Sequence, residues 1–207
     1  MKGKFITFEG IDGSGKSTQI DLLKKLLDIK NIPFEVFREP GGTKFSEKIR
    51  EILLDSKNIH LSSVAESLLF VAARSQLMIE KINPAIKEGK IVICDRFADS
   101  TVAYQGYGRG LNIKYLEDLN SFGTNEIIPD LTIILDINPD EAFRRKNSST
   151  PDRMESIGID FFIRVQKGYY NIASQYADRC VIIDGNRQAE IVFESVCKEI
   201  NNKILRK

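Results

Sequence analysis

Short runs of β-branched and aromatic residues alternate along the chain with longer stretches whose apolar positions recur at helical spacing. Five runs predict strands: Lys4 to Glu9 (KFITFE), Phe34 to Arg38 (FEVFR), Ile91 to Asp95 (IVICD), Leu131 to Ile137 (LTIILDI) and Cys180 to Asp184 (CVIID). Most are near-continuous in apolar residues, the pattern of strands covered on both faces. Helical periodicity predicts helices over 16–29, 43–54, 62–88, 99–105, 112–122, 139–146, 157–178 and 188–203. Ser63-x-x-Glu66 reads as a capping box at the start of the third. Strands alternating with crossover helices predict an α/β domain with a parallel sheet. Two loops stand apart as candidate lids: glycine-rich 106–110 (GYGRG), and polar, proline-containing 146–152 (KNSSTPD) among arginines.

A length of 207 residues fits one domain, with no repeat, low-complexity tract or long linker to divide it. A net charge of +1 gives no global pull toward nucleic acid or an anionic membrane, so neither is expected as a partner. Cys94, Cys180 and Cys197 form no CxxC pair and no zinc spacing, which predicts free thiols in a reducing compartment. The apolar stretch from Phe5 to Phe8 is too short for a signal peptide, and no later run approaches the roughly 18 residues of a membrane span. A soluble, cytoplasmic protein is the expectation.

The strongest local signal is Gly10-Ile11-Asp12-Gly13-Ser14-Gly15-Lys16-Ser17, which fits G-x-x-x-x-G-K-[ST] with a predicted strand before it and a helix after. That context predicts a P-loop, in which successive backbone N–H groups and the helix N-terminus converge on phosphate oxygens. Residues 10–18, through Thr18, are the predicted ATP site. Lys16 is placed to reach the β and γ phosphates, and the Ser17 hydroxyl to ligate Mg²⁺. The alternative is a glycine-rich turn that binds nothing. A three-layer P-loop NTPase fold, with a five-stranded parallel sheet flanked by helices, follows from motif and pattern together.

A P-loop leaves the acceptor open. A guanine-specific GTPase calls for Asn-Lys-x-Asp, whereas the one Asn-Lys, at 202–203, is followed by Ile204 and Leu205. The third predicted strand ends in Asp95-Arg96-Phe97, at the carboxyl edge where open α/β sheets bind ligands. Asp95 can hold Mg²⁺ through water, and Arg96 can grip a second phosphate with its two-pronged geometry. A surface ion pair is the plain alternative.

At these residues the chain resembles the bacterial type of thymidylate kinase. The matching segments are FITFEGIDGSGKST at 5–18, REPGGT at 38–43, Phe70 with Ala73-Arg74, DRFADSTVAYQGYGR at 95–109, IPDLTIILDINP at 128–139 and PDRME at 151–155. The resemblance implies transfer of the ATP γ-phosphoryl group to dTMP, giving dTDP and ADP, by a homodimer. It implies that Phe70 stacks on the pyrimidine, that Arg74 donates to a base oxygen, and that Thr101 and Gln105 meet the base. Tyr104 would lie under the sugar and exclude a ribose hydroxyl. Arg38 and Arg96 would reach the acceptor phosphate, and Asp12 the acceptor side through Mg²⁺ or the sugar 3′-OH. The bland alternatives are core packing for Phe70, pairing with Glu39 for Arg38, and loop shaping for Asp12.

The acceptor is a phosphate, largely ionised near neutral pH, so no general base is called for. Catalysis then falls to cations and backbone donors. Some members of this family carry an arginine in the P-loop where this chain has Gly13, and members without one use lid arginines. The lid over about 144–156 offers Arg144, Arg145, Lys146 and Arg153, of which Arg145 and Arg153 join Lys16 and Arg96 as candidate catalytic cations. Two other functions fit the P-loop: a kinase for another nucleoside monophosphate, and a protein that holds nucleotide without turning it over.

Overall fold

The computed structural model describes residues 3–58, 60–146 and 158–205. Its five strands are β1 (Lys4–Glu9), β2 (Phe34–Arg38), β3 (Ile91–Asp95), β4 (Leu131–Asp136) and β5 (Cys180–Asp184). They form one parallel sheet in the order β2-β3-β1-β4-β5. Fourth strand apart, which stops one residue short of the predicted Ile137, the bounds are those expected from the apolar runs.

Side chains alternate across the sheet and divide the core. Ile6, Phe8, Ile93, Ile133 and Leu135 pack on one face against α1 (Lys16–Ile29) and α9 (Ala189–Ile200). On the other, Phe5, Val92 and Cys94 meet Leu77, Met78 and Ile82, while Ile134 and Cys180 meet Phe161, Val165 and Ile172 of α8 (Ile159–Gln175). The result is three layers. The remaining helices are α2 (Lys44–Leu54), α3 (Ser63–Leu77), α4 (Asn83–Lys87), α5 (Ala98–Thr101), α6 (Ile113–Thr124) and α7 (Pro139–Lys146).

Three local expectations are corrected. The helix expected over 62–88 is broken by a π-helical turn, Met78–Ile82, before α4. Pro84 has no N–H to continue an α-helical ladder, and the wider turn absorbs the missing bond. The N-cap of α3 is Ser62, whose Oγ accepts from the Ala65 N–H at 3.2 Å, so Glu66 closes no capping box with Ser63 and turns inward instead. The 106–110 segment is no lid, because α5 continues into a π-helical stretch, Val102–Gly108, in which Gly106 and Gly108 are buried. A Cβ on Gly106 would come within 2.4 Å of Ile113, and one on Gly108 within 2.5 Å of Phe161. These glycines serve close packing.

Candidate active site

The loop from Gly10 to Gly15 turns through three left-handed glycines, with φ of 131° at Gly10, 82° at Gly13 and 92° at Gly15. Gly15 is also the N-cap of α1, and with no side chain to cap it the first-turn N–H groups are left for an anion. The Lys16 ammonium lies across the loop, donating to the Gly10 and Ile11 carbonyls at 3.1 Å each. Burial, and then repulsion from Arg96, bring it down to about 8. The negative charge of an incoming phosphate would offset the repulsion and favour the charged ammonium. At Gly13 a Cβ would stand 2.6 Å from the Ala142 carbonyl oxygen of α7, so the position that carries an arginine in other P-loops is closed by backbone.

From this loop a cavity of about 510 Å³ opens toward α3 and α5. Asp12, Gly13, Gly15, Lys16, Ser17 and Thr18 line its phosphate end. Phe70, Arg74, Thr101, Tyr104 and Gln105 line the far end, and Arg38, Asp95, Arg96 and Arg145 lie between. Of the predicted ATP residues, Gly10, Ile11 and Ser14 stand behind the wall, where Ile11 and Ser14 are buried and Ser14 Oγ has no partner.

Arg96 is the hub. Its backbone is left-handed, with φ of 70°, and its N–H donates to the Phe8 carbonyl at 2.9 Å, which turns the side chain over the P-loop. Its Nη2 donates to Asp12 Oδ1 at 2.9 Å and to the Tyr104 hydroxyl at 3.0 Å, and its Nη1 to Ser100 Oγ at 3.2 Å. The guanidinium also covers the Tyr104 ring, 4.9 Å from the centroid. Tyr104 is held edge-on by Phe161, Phe162 and Tyr169, so it forms a stiff wall.

Beneath Arg96 sits Glu9, a buried carboxylate at the end of β1. It accepts from the Phe97 N–H at 2.7 Å, from Ser100 Oγ at 2.5 Å and from the Tyr169 hydroxyl at 3.1 Å. Burial, and then the charge of Asp99, push it up to about 7.

At the far end, Arg74 is 1 % exposed and braced on every side. Its Nε donates to Glu39 Oε2 at 2.8 Å, its Nη1 to Asn120 Oδ1 at 2.6 Å, and its Nη2 to the Phe97 carbonyl and Thr101 Oγ1 at 3.0 Å each. Phe70 packs on the Ile49, Leu53 and Ala73 cluster, as its bland alternative had it, and it also lines the cavity. Arg38 does not pair with Glu39: its Nη2 meets Glu47 Oε2 at 3.0 Å and its Nη1 the Pro40 carbonyl at 3.0 Å. Glu39 is taken by Arg74.

Of the lid candidates, Arg145 lines the cavity, held by Glu141 Oε1 at 3.0 Å, whereas Arg144 pairs with Glu141 from a largely exposed position. Arg153 lies outside the described residues, as does most of the 144–156 segment. For Mg²⁺, the Ser17 hydroxyl at the phosphate end and the Asp95 carboxylate further along line the same cavity and offer two hard oxygen donors. No group of three or more His, Cys, Asp or Glu that could hold a metal ion gathers among the described residues.

A family model described as thymidylate kinase matches residues 8–196. The chain belongs to the thymidylate kinase family. Its relatives include the thymidylate kinase of Thermoanaerobacter sp. strain X514, 48 % identical over 196 residues, 95 % of this chain and 96 % of that protein. Another is the thymidylate kinase of Bacillus velezensis, 39 % identical over 99 % of this chain and 98 % of that one. The crystal structure of thymidylate kinase from Ehrlichia chaffeensis superposes with a TM-score of 0.79 at 37 % identity, covering 97 % of this chain and 99 % of the other.

Beyond the residues expected of a thymidylate kinase, the fold brings in Glu9, Glu39, Arg50, Glu66 and Tyr169. Glu9, Glu39 and Glu66 are buried acids, each within an otherwise apolar or motif-bearing stretch. An ionisable residue on an apolar strand was a signal for Glu9. Arg50 donates to the Pro40 carbonyl at 2.9 Å and lines the cavity beside Arg38, which helical spacing alone does not reveal. Tyr169 lies 160 residues from Glu9 in sequence, and only the fold joins them.

Proposed function

We propose that this chain transfers the γ-phosphoryl group of ATP to the phosphate of dTMP, giving dTDP and ADP. The observation that carries this reading is one cavity with a P-loop at one end, a ring, an arginine and a carboxamide at the other, and Arg96 between them. ATP would thread its phosphates along residues 10–18, with Lys16 on the β and γ groups. dTMP would lie with its base between Phe70, Arg74, Thr101 and Gln105, and its sugar against Tyr104. The sugar then meets a ring that its neighbours hold in place, which supports selection of deoxyribose by exclusion.

With an ionised phosphate as acceptor no proton need be removed, and the protein's task is to align two polyanions. Arg96 would hold the acceptor phosphate over the P-loop, with Arg38 and Arg50 at the rim, while Asp12 keeps Arg96 in place. Arg145, and Arg153 from the lid, would add positive charge where it spreads over the transferred group. Ser17 and Asp95 would hold Mg²⁺, which when bound neutralises phosphate charge.

No helix among the described residues is long and apolar enough to cross a membrane. Three free cysteines support a reducing cytoplasm. A homodimer is supported by apolar side chains left exposed on two adjacent helices: Val64 and Leu68 on α3, Tyr115 and Phe122 on α6. The test of the activity is ADP release with thymidine, deoxyuridine, uridine, cytidine, adenosine and guanosine monophosphates as acceptors. dTMP should be used best, and preference for a purine would overturn the reading.

A further inference from the structure

Gln105 carries a carboxamide at the far end of the cavity, and its orientation decides whether the pocket offers a donor or an acceptor there. Its Nε2 donates to Glu66 Oε1 at 2.9 Å. Glu66 is fully buried, and its Oε2 takes Arg109 Nη2 at 3.1 Å. A carboxylate only accepts hydrogen bonds, so the nitrogen of the amide must face it. The reversed amide would set its oxygen against the Glu66 carboxylate in a fully buried setting, an unfavourable meeting of two acceptors. The Gln105 oxygen is therefore turned away from Glu66. Arg74 lines the same end of the cavity, is only a donor, and is held by Glu39, Asn120 and Thr101, the last of which lies four residues before Gln105.

We propose that Glu66 is a positioning residue for base specificity: by pinning the Gln105 amide, it makes the pocket present an acceptor next to the Arg74 donor. That pair complements the N3–H and O4 of a uracil-type base and opposes the N3 and N4 amino group of cytosine. The inference rests on the base lying between Phe70 and Gln105. Glu66 itself touches no substrate and acts through Gln105, from a helix whose first turn the sequence pattern assigns to capping.

The experiment compares kcat and KM for dTMP, dUMP and dCMP in the wild type and in Glu66→Gln, with melting temperatures as the folding control. The wild type should use dTMP and dUMP well ahead of dCMP. In E66Q the new amide can donate to the Gln105 oxygen and let that carboxamide turn over. The kcat/KM ratio of dTMP to dCMP should then fall about tenfold, through KM, with kcat for dTMP within about twofold. A folded E66Q that discriminates as well as the wild type overturns the inference and leaves the dTMP reading standing. A wild type that does not prefer dTMP overturns that reading itself. Should E66Q fail to fold, Gln105→Met takes its place: a similar loss of discrimination is expected, and full retention would show that Glu66 has nothing to act through.

Discussion

The Arg96 guanidinium lies 2.9 Å from the Asp12 carboxylate, joining the end of β3 to the middle of the P-loop. Both side chains are mostly buried, so the pair is shielded from solvent and holds its geometry better than a surface ion pair would. Arg96 reaches this position from a left-handed backbone, a conformation that costs a non-glycine residue about 1 kcal/mol or more. A strained residue braced by Asp12, Ser100, Tyr104 and Tyr169 is set in place before any phosphate arrives.

Arg96→Lys should therefore lower kcat/KM for dTMP by about 10²- to 10³-fold, although charge is kept. A lysine ammonium has no planar fork to reach Asp12, Ser100 and the tyrosine hydroxyls together. Coupled measurement of ADP release checks this, and a loss below fivefold would mean that Arg96 serves the fold rather than the phosphate.

Gly13→Ala should act on the nucleotide side alone. The left-handed φ of 82° strains any side chain there, and the added methyl would meet the Ala142 carbonyl oxygen at 2.6 Å, so the loop or α7 must move. KM for ATP should rise about tenfold or more while KM for dTMP changes less than about threefold, since the far end of the cavity is built from other elements. Matching increases in both would show that α7 and the P-loop couple the two ends.

The strands were legible because a parallel sheet covered on both faces writes itself as apolar runs, and the P-loop because its glycines answer a local backbone demand. Phe70 and Arg74 lie four apart on a helix, and Thr101, Tyr104 and Gln105 within two turns, so helical spacing alone sets each group on a shared face. What escaped were partners set by tertiary distance. Glu39 meets Arg74 across 35 positions and Glu66 meets Gln105 across 39, and nothing in local spacing selects those partners over Arg38 or Ser63. The π-helical stretch after α5 escaped for another reason: glycines signal turns by default, and only packing against Ile113 and Phe161 shows their use as room for neighbours.

Glu9→Gln tests the buried acid beneath Arg96. Its carboxyl titrates at an ordinary 4.5 when unfolded and at about 7 when folded, chiefly because burial penalises the charge and next because Asp99 is near. Between those values the folded state holds a proton that the unfolded chain has given up, so the stability this group contributes is complete below about 4.5 and is lost as pH rises through about 7. The groups that face it are the Phe97 N–H, Ser100 and Tyr169 as donors, with Arg96 and Asp99 as charges of opposite sign. Glutamine keeps the shape and the Phe97 bond but cannot titrate. From pH 5.5 to 8 the wild type should lose on the order of 2 kcal/mol relative to E9Q, or about 5 °C in Tm. Thermal melts across that range measure the difference. Parallel curves would mean that the three donors outweigh burial and keep Glu9 charged, in which case its carboxylate would act as a fixed negative anchor for Arg96 at every pH the enzyme meets.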